Sequence, residues 1–161
     1  MQLLVFSRLE CLLMFRLLSP ILVVLALGTM ATLLAAELTD EQKKLQGAWR
    51  PVDARLGDIK IDEETLQKIT FAYMEDRFTL TVGEETQQGT YAIDPKPSPK
   101  TLDLFYTSGP NNGSTTVAVY EVDGDNLTVC YSLNSNNRPT ELKSEGDQTR
   151  LLVKFERKKD Q

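Results

Sequence analysis

Strong turn signals recur at short intervals along most of this chain, and they constrain its fold more than any other feature. Residues 94–100 (DPKPSPK) contain three prolines, and residues 108–114 (SGPNNGS) consist almost wholly of turn-forming residues. Between such breaks the sequence alternates, as in Leu102, Leu104 and Tyr106, which share one face of an extended chain. The sequence therefore predicts about eight or nine short antiparallel strands, arranged as a sandwich or an up-and-down barrel.

The strand predictions follow these runs of alternating residues. They fall at residues 48–56, 70–74, 77–82, 86–93, 101–106, 115–122, 127–133 and 149–157, with 138–144 as a candidate short strand. The strongest hairpin turns at residues 123–126 (DGDN). Because alternate strand residues face opposite sides, Tyr120 and Tyr131 are expected on its apolar, interior face. Cys130 is expected on the other face, where a short helix near Leu66 would shield it.

Two short helices are predicted. Residues 37–46 (ELTDEQKKLQ) place Thr39 and Gln42 at the spacing of a capping box. Residues 61–69 (IDEETLQKI) offer Asp62 as the N-cap of a second helix.

Residues 1–36 differ from the rest of the chain. Residues 17–36 (LLSPILVVLALGTMATLLAA) are uncharged and follow Arg8 and Arg16, which is the layout of a secretory signal peptide. The same run is also long enough to span a bilayer, so a retained membrane anchor is the alternative. Translation beginning at Met1 or at Met14 is compatible with this layout. We therefore expect export, with residues 37–161 forming one domain.

The composition of that domain excludes several kinds of function. Removing Arg8, Arg16 and Glu10 with the N-terminal segment leaves 16 of the 18 basic and 22 of the 23 acidic side chains, a net charge of −6. A negatively charged domain repels phosphate backbones, so nucleic acid is a poor candidate partner. The chain contains no histidine, which removes the commonest general base and metal ligand.

The single tryptophan lies at the beginning of the first predicted strand, directly after the first predicted helix. Gly47 and Trp49 there form a Gly-x-Trp motif that resembles the start of lipocalin-type barrels. That resemblance implies that the indole closes one end of the barrel and that Arg150 or Arg157 from the last strand stacks across it. The alternative is a large core aromatic at a sheet end.

A broader resemblance covers most of the chain from Leu45 to about Lys158. It rests on the segments LQGAWRPVDARLGDIKI, RFTLT, GTYAIDPKPSPKTLDL, AVYEVDGDNLTVCYS and RPTEL, in this order. Together they are similar to a family of small, uncharacterised secreted domains abundant in planctomycete bacteria. The family implies export and a compact, lipocalin-like β fold. We therefore predict that residues 37–161 form a lipocalin-like antiparallel up-and-down barrel of about eight strands, or a strongly bent sheet. The family implies no activity; Leu142 stands where the family often has phenylalanine.

Few side chains are suited to catalysis. Cys130 lies in the middle of a predicted strand and has no histidine to activate it, so a buried, inert thiol is expected. Most of the paired carboxylates fall in turns or on a helix surface, and we expect no catalytic residue, metal site or cofactor. Arg138 could pair with an anionic ligand near a barrel mouth, or with a carboxylate of its own chain.

Two functions of different classes remain. The first is a non-enzymatic binding module that holds a small apolar or amphipathic ligand inside the barrel, with Tyr120 and Tyr131 at the cavity and Arg138 near its rim. The second is a cell-envelope or surface protein-interaction domain whose barrel is filled. Large interior side chains favour the second, and the candidates for this role are Tyr73, Phe78, Tyr91, Tyr120 and Tyr131.

Expression of the full chain in a bacterium should place the protein outside the cytoplasm, because the N-terminal segment has the features of an export signal. Fractionation with mass spectrometry should find a chain shortened by about thirty residues. An uncut chain in the membrane fraction would favour the anchor, and accumulation of the full chain in the cytoplasm would contradict export.

Overall fold

A computed structural model of the protein describes residues 37–134 and 137–159. The expected signal peptide or anchor at residues 1–36 lies outside this range. Of the described residues, none belongs to a helix with the length and apolar character needed to cross a bilayer.

The described residues form a closed antiparallel barrel. Its strands are β1 (Gly47–Leu56), β2 (Ile59–Lys60), β3 (Ile69–Met74), β4 (Arg77–Val82), β5 (Glu85–Asp94), β6 (Lys100–Tyr106), β7 (Thr115–Asp123), β8 (Asn126–Ser132) and β9 (Arg150–Arg157). Two short helices, α1 (Asp40–Leu45) and α2 (Glu63–Gln67), precede β1 and β3. Each strand from β3 to β9 pairs with its neighbour, and β1 pairs with both β3 and β9. Since β2 only extends the edge of β1, eight strands close the barrel, which confirms the predicted fold.

Strand β1 closes the barrel by changing partners along its length. Residues 47–49 pair with β3, whereas pairing with β9 continues to Leu56. The β9 register shifts between Pro51 and Asp53, as expected where proline cannot donate to a ladder and a bulge bends the strand. Beyond Trp49, β1 therefore has no pairing with β3, and α2 contacts both strands at this gap.

The β7–β8 hairpin has the predicted register. Tyr120 lies opposite Val129 and Tyr131 opposite Ala118, and all four side chains belong to the interior core. Cys130 is buried outside this core cluster, but α2 does not shield it as predicted. Its thiol instead donates to the Lys143 carbonyl oxygen, 3.2 Å away, in the segment after β8.

That segment corrects a second prediction, because residues 138–144 form a loop and not a strand. Pro139 has no N–H to donate to a ladder. The Ser144 hydroxyl donates to the Gly57 carbonyl oxygen at 2.8 Å, so the segment is held by side-chain contacts in place of strand pairing. Ser144 of this segment and Cys130 of β8 are both buried, so the segment covers part of the outer wall.

Aromatic side chains fill the half of the barrel nearest α1. Tyr73 packs against Tyr91 with ring centroids 4.8 Å apart, and Phe78 packs edge-on against Tyr106 at 5.1 Å. Gly89 of β5 makes room for this packing, since a Cβ there would lie 2.7 Å from the Phe78 ring and also meet the β6 backbone. This half therefore contains the large interior residues expected from the sequence.

The Trp49 indole closes that same end. It is fully buried, and its Nε1–H donates to the Leu45 carbonyl oxygen of α1 at 2.8 Å. The Arg157 guanidinium of β9 lies over the indole, 4.2 Å from the ring centroid, and its Nη2 donates to the Lys44 carbonyl oxygen at 2.9 Å. Gly47 allows this approach, because its φ of 106° disfavours any side chain and a Cβ there would lie 3.2 Å from the Arg157 Nη1 atom.

Replacement of Trp49 by alanine should lower the free energy of unfolding by about 3–5 kcal/mol, since a buried indole leaves a large cavity. Urea denaturation of the mature protein measures this. Val52→Ala is the matched control, because Val52 is on the same strand but 43% exposed, and it should cost less than about 0.5 kcal/mol. A loss below about 1 kcal/mol for Trp49→Ala would contradict a closing role for the indole.

Candidate functional site

The end of the barrel away from Trp49 contains a cavity of about 840 Å³. Cavities of about 300–1,000 Å³ are typical of small-molecule sites. The apolar and aromatic residues that line it are Pro51, Ala54, Ile61, Leu66, Ile69, Phe71, Leu80, Val82, Leu104, Tyr106, Tyr131, Leu133, Leu151, Val153 and Phe155. The remaining lining residues are Asn111, Gly113, Ser114, Thr115, Thr116 and Ser132. None of these described lining residues has a charged side chain.

Helix α2 supplies part of the wall where β1 and β3 are not paired. Asp62 caps this helix by accepting the Thr65 N–H at 2.9 Å, and the Ile61 N–H donates to the Ala54 carbonyl oxygen of β1 at 2.9 Å. These bonds fix the helix beside β1, and Leu66 is buried in the core cluster. The helix therefore completes an apolar wall that strand pairing leaves open.

Three interior tyrosines provide hydroxyl groups near the cavity. Tyr106 and Tyr131 line it, and Tyr73 packs against the lining residue Phe71 with ring centroids 4.9 Å apart. Burial raises the pKa of all three phenols, and neighbouring tyrosines raise the pKa of Tyr73 and Tyr131 further. The three hydroxyls are therefore neutral hydrogen-bond donors throughout the physiological pH range.

The Tyr73 hydroxyl is buried and has no hydrogen-bond partner among the described residues. The Tyr131 phenol lies near enough for the two to influence each other's pKa. The two hydroxyls are nevertheless not placed to form a hydrogen bond with each other. The Tyr73 O–H therefore has no acceptor among the described residues.

The structure places only one of the three predicted ligand residues at the cavity. Tyr131 lines it, whereas Tyr120 lies at the closed end with its hydroxyl 3.4 Å from the Glu41 carboxylate of α1. Glu41 also pairs with Lys100, whose ammonium lies 5.9 Å from the centroid of the Tyr120 ring. Burial and the Glu41 charge raise the pKa of Tyr120, so this phenol is part of the packing beneath α1.

Arg138 lies on the outer wall. Its guanidinium donates to the Ala118 carbonyl oxygen at 2.9 Å and pairs with the Asp103 carboxylate at 2.6 Å. Asp103 alternates with Leu102 and Leu104, which belong to the interior core, so it faces outward. The arginine thus bridges to a carboxylate of its own chain, the alternative considered from the sequence, and holds the segment after β8 against β6 and β7.

Burial raises the pKa of the Cys130 thiol, which reduces its thiolate fraction. The carboxylates are also dispersed: the described residues contain no group of three or more Cys, Asp or Glu side chains placed to hold a metal ion.

Most of the cavity wall, including Leu66, could not be identified from the sequence, and neither could the unpartnered hydroxyl of Tyr73 beside it. The alternation in β6 placed Leu104 and Tyr106 on one face, which was a usable signal for two lining residues. Nothing in the local sequence indicates that α2 closes a gap between β1 and β3, because that gap results from pairing between distant segments.

No family model matches this chain, and no curated protein matches it. Among solved structures it is similar to a crystal structure of a DUF4847 family protein from Bacteroides vulgatus ATCC 8482. The two have a TM-score of 0.46 and 12% sequence identity, over 75% of this chain and 99% of that chain. A likeness of this degree carries no argument about ligand or activity.

Proposed function

We propose that this protein is an exported, non-enzymatic binding module that holds a small apolar or amphipathic molecule inside its barrel. The observation that carries the proposal is the apolar cavity of about 840 Å³ at the end away from Trp49. Burial of apolar ligand surface against such walls contributes about 25 cal/mol per Å² before the costs of binding are subtracted.

The distribution of large side chains favours ligand binding over a filled barrel. Tyr73, Phe78, Tyr91 and Tyr120 are buried in the core, and none of them lines the cavity. The cavity wall is dominated instead by aliphatic residues such as Leu80, Leu104 and Val153. These buried rings fill the half of the barrel beneath α1, and the half with the mainly aliphatic wall is left with room for a molecule.

A non-enzymatic role is supported by the chemistry of the site. Its phenols have raised pKa values, so they are poor bases and poor nucleophiles at neutral pH. The thiol of Cys130 belongs to the outer wall and not to the cavity lining. Export is supported by the uncharged N-terminal run, with membrane anchoring by that run as the alternative location.

Titration with a neutral environment-sensitive dye, N-phenyl-1-naphthylamine, tests the proposal on the mature protein. We expect saturable fluorescence enhancement, because the dye leaves water for an apolar cavity. Leu80→Trp should weaken dye binding about tenfold or more, since the indole would occupy cavity space; this corresponds to about 1.4 kcal/mol.

Thr79→Trp is the matched control, because Thr79 is adjacent on β4 and faces the opposite side of the sheet. It should bind the dye as the unmodified protein does, with circular dichroism showing both variants folded. Absence of saturable binding by the unmodified protein, or equal affinity in the two folded variants, would contradict a ligand site inside the barrel.

A further inference from the structure

We propose that the ligand is an uncharged amphipathic molecule whose hydrogen-bond-accepting group meets the tyrosine hydroxyls at the cavity. This inference rests on the proposed binding function and narrows it to a chemical class. Long-chain alcohols, ketones and esters belong to this class. Fatty-acid anions and alkylammonium ions do not.

The described lining of the cavity provides no counter-charge for an ionic head group. Every described residue that lines the cavity is neutral, so neither a carboxylate nor an ammonium group would find an ion-pair partner there. Moving an unpaired ion from water into such surroundings costs several kcal/mol, far more than a neutral polar group that retains one hydrogen bond. The cavity should therefore select against charged head groups of either sign.

A buried tyrosine hydroxyl beside the cavity lacks a hydrogen-bond partner within the described part of the chain. Tyr73 is 2% exposed and its hydroxyl has no partner among the described residues. A buried donor without an acceptor is costly, and native proteins rarely leave one unless a ligand or a water satisfies it. Tyr131 belongs to the cavity lining and neighbours Tyr73. With a ligand acceptor beside it, Tyr131 would donate to the ligand and accept from Tyr73, which satisfies both hydroxyls.

The phenols of Tyr73 and Tyr131 are protonated and can therefore donate hydrogen bonds. The phenols remain neutral at physiological pH, because burial raises the pKa of each, so each hydroxyl carries a hydrogen to donate. A carbonyl or hydroxyl oxygen on the ligand accepts such a bond. The other polar lining residues, including Asn111, Ser114 and Thr116, are also uncharged, so they offer no ionic attraction for a head group.

Competition for the bound dye tests the charge preference in the mature protein. Decanol, decanoate and decylammonium have the same chain length, and at neutral pH the first is uncharged whereas the others are ionised. We expect decanol to displace the dye with at least about tenfold higher affinity than either ion, because only the ions lose hydration without a partner. Equal affinity for decanol and decanoate would overturn this inference and leave the dye-binding function intact. Failure of the dye itself to bind would instead contradict the proposed function.

Tyrosine-to-phenylalanine variants test the hydrogen-bonding end. Tyr131→Phe and Tyr73→Phe should each weaken decanol binding about threefold to tenfold, the range for loss of one hydrogen bond. Because Tyr131 lines the cavity, dye affinity is measured in the same variants, and the loss for decanol should exceed any loss for the dye, which lacks a strong acceptor. Tyr120→Phe is the control, because that hydroxyl lies by Glu41 at the closed end.

Tyr73→Phe should also raise the urea midpoint of the ligand-free protein, since it removes an unsatisfied buried group without changing the ring. This readout distinguishes a folded variant with a lost contact from a damaged one. Unchanged decanol affinity in both Tyr131→Phe and Tyr73→Phe would overturn the assignment of the accepting group to these hydroxyls.

Discussion

The contact between the Trp49 indole and the Arg157 guanidinium joins the first strand of the barrel to its last. The same guanidinium donates to the carbonyl oxygen of Lys44, and the indole donates to that of Leu45, so both side chains also hold α1 over the closed end. This arrangement combines a cation–π contact over a fully buried indole with hydrogen bonds to the end of a helix. Closure of the barrel at one end defines where a cavity can remain.

The barrel interior is divided by residue size. Aromatic rings beneath α1 pack closely, and Gly89 provides the space that the Phe78 ring needs beside the β6 backbone. Towards the other end the walls are mainly aliphatic, and α2 covers the place where β1 leaves β3 for β9. The filled half and the half that contains the cavity therefore meet where the lining residue Phe71 packs against Tyr73 and Phe78.

Local patterns were sufficient for the eight strands of the barrel, the capping box at Thr39 and the register of the β7–β8 hairpin, but not for residues 138–144, which form a loop. They were insufficient where distant segments meet. Arg138 looked suitable for a ligand, but its partner Asp103 comes from β6, which local reasoning cannot place beside it. Tyr120 and Tyr131 share a face as predicted, yet their positions along the barrel axis differ, so only Tyr131 reaches the cavity. Alternation determines the face of a strand residue and not its depth in a barrel.

A crystal structure of the protein with decanol carrying bromine on its last carbon tests whether a ligand enters the barrel, because anomalous scattering locates the bromine. We expect a single bromine position inside the barrel, with the ligand hydroxyl within hydrogen-bonding distance of Tyr131. The contact between Trp49 and Arg157 at the other end should be unchanged. Bromine found only on the outer surface, or no ordered bromine at saturating ligand, would contradict binding inside the barrel.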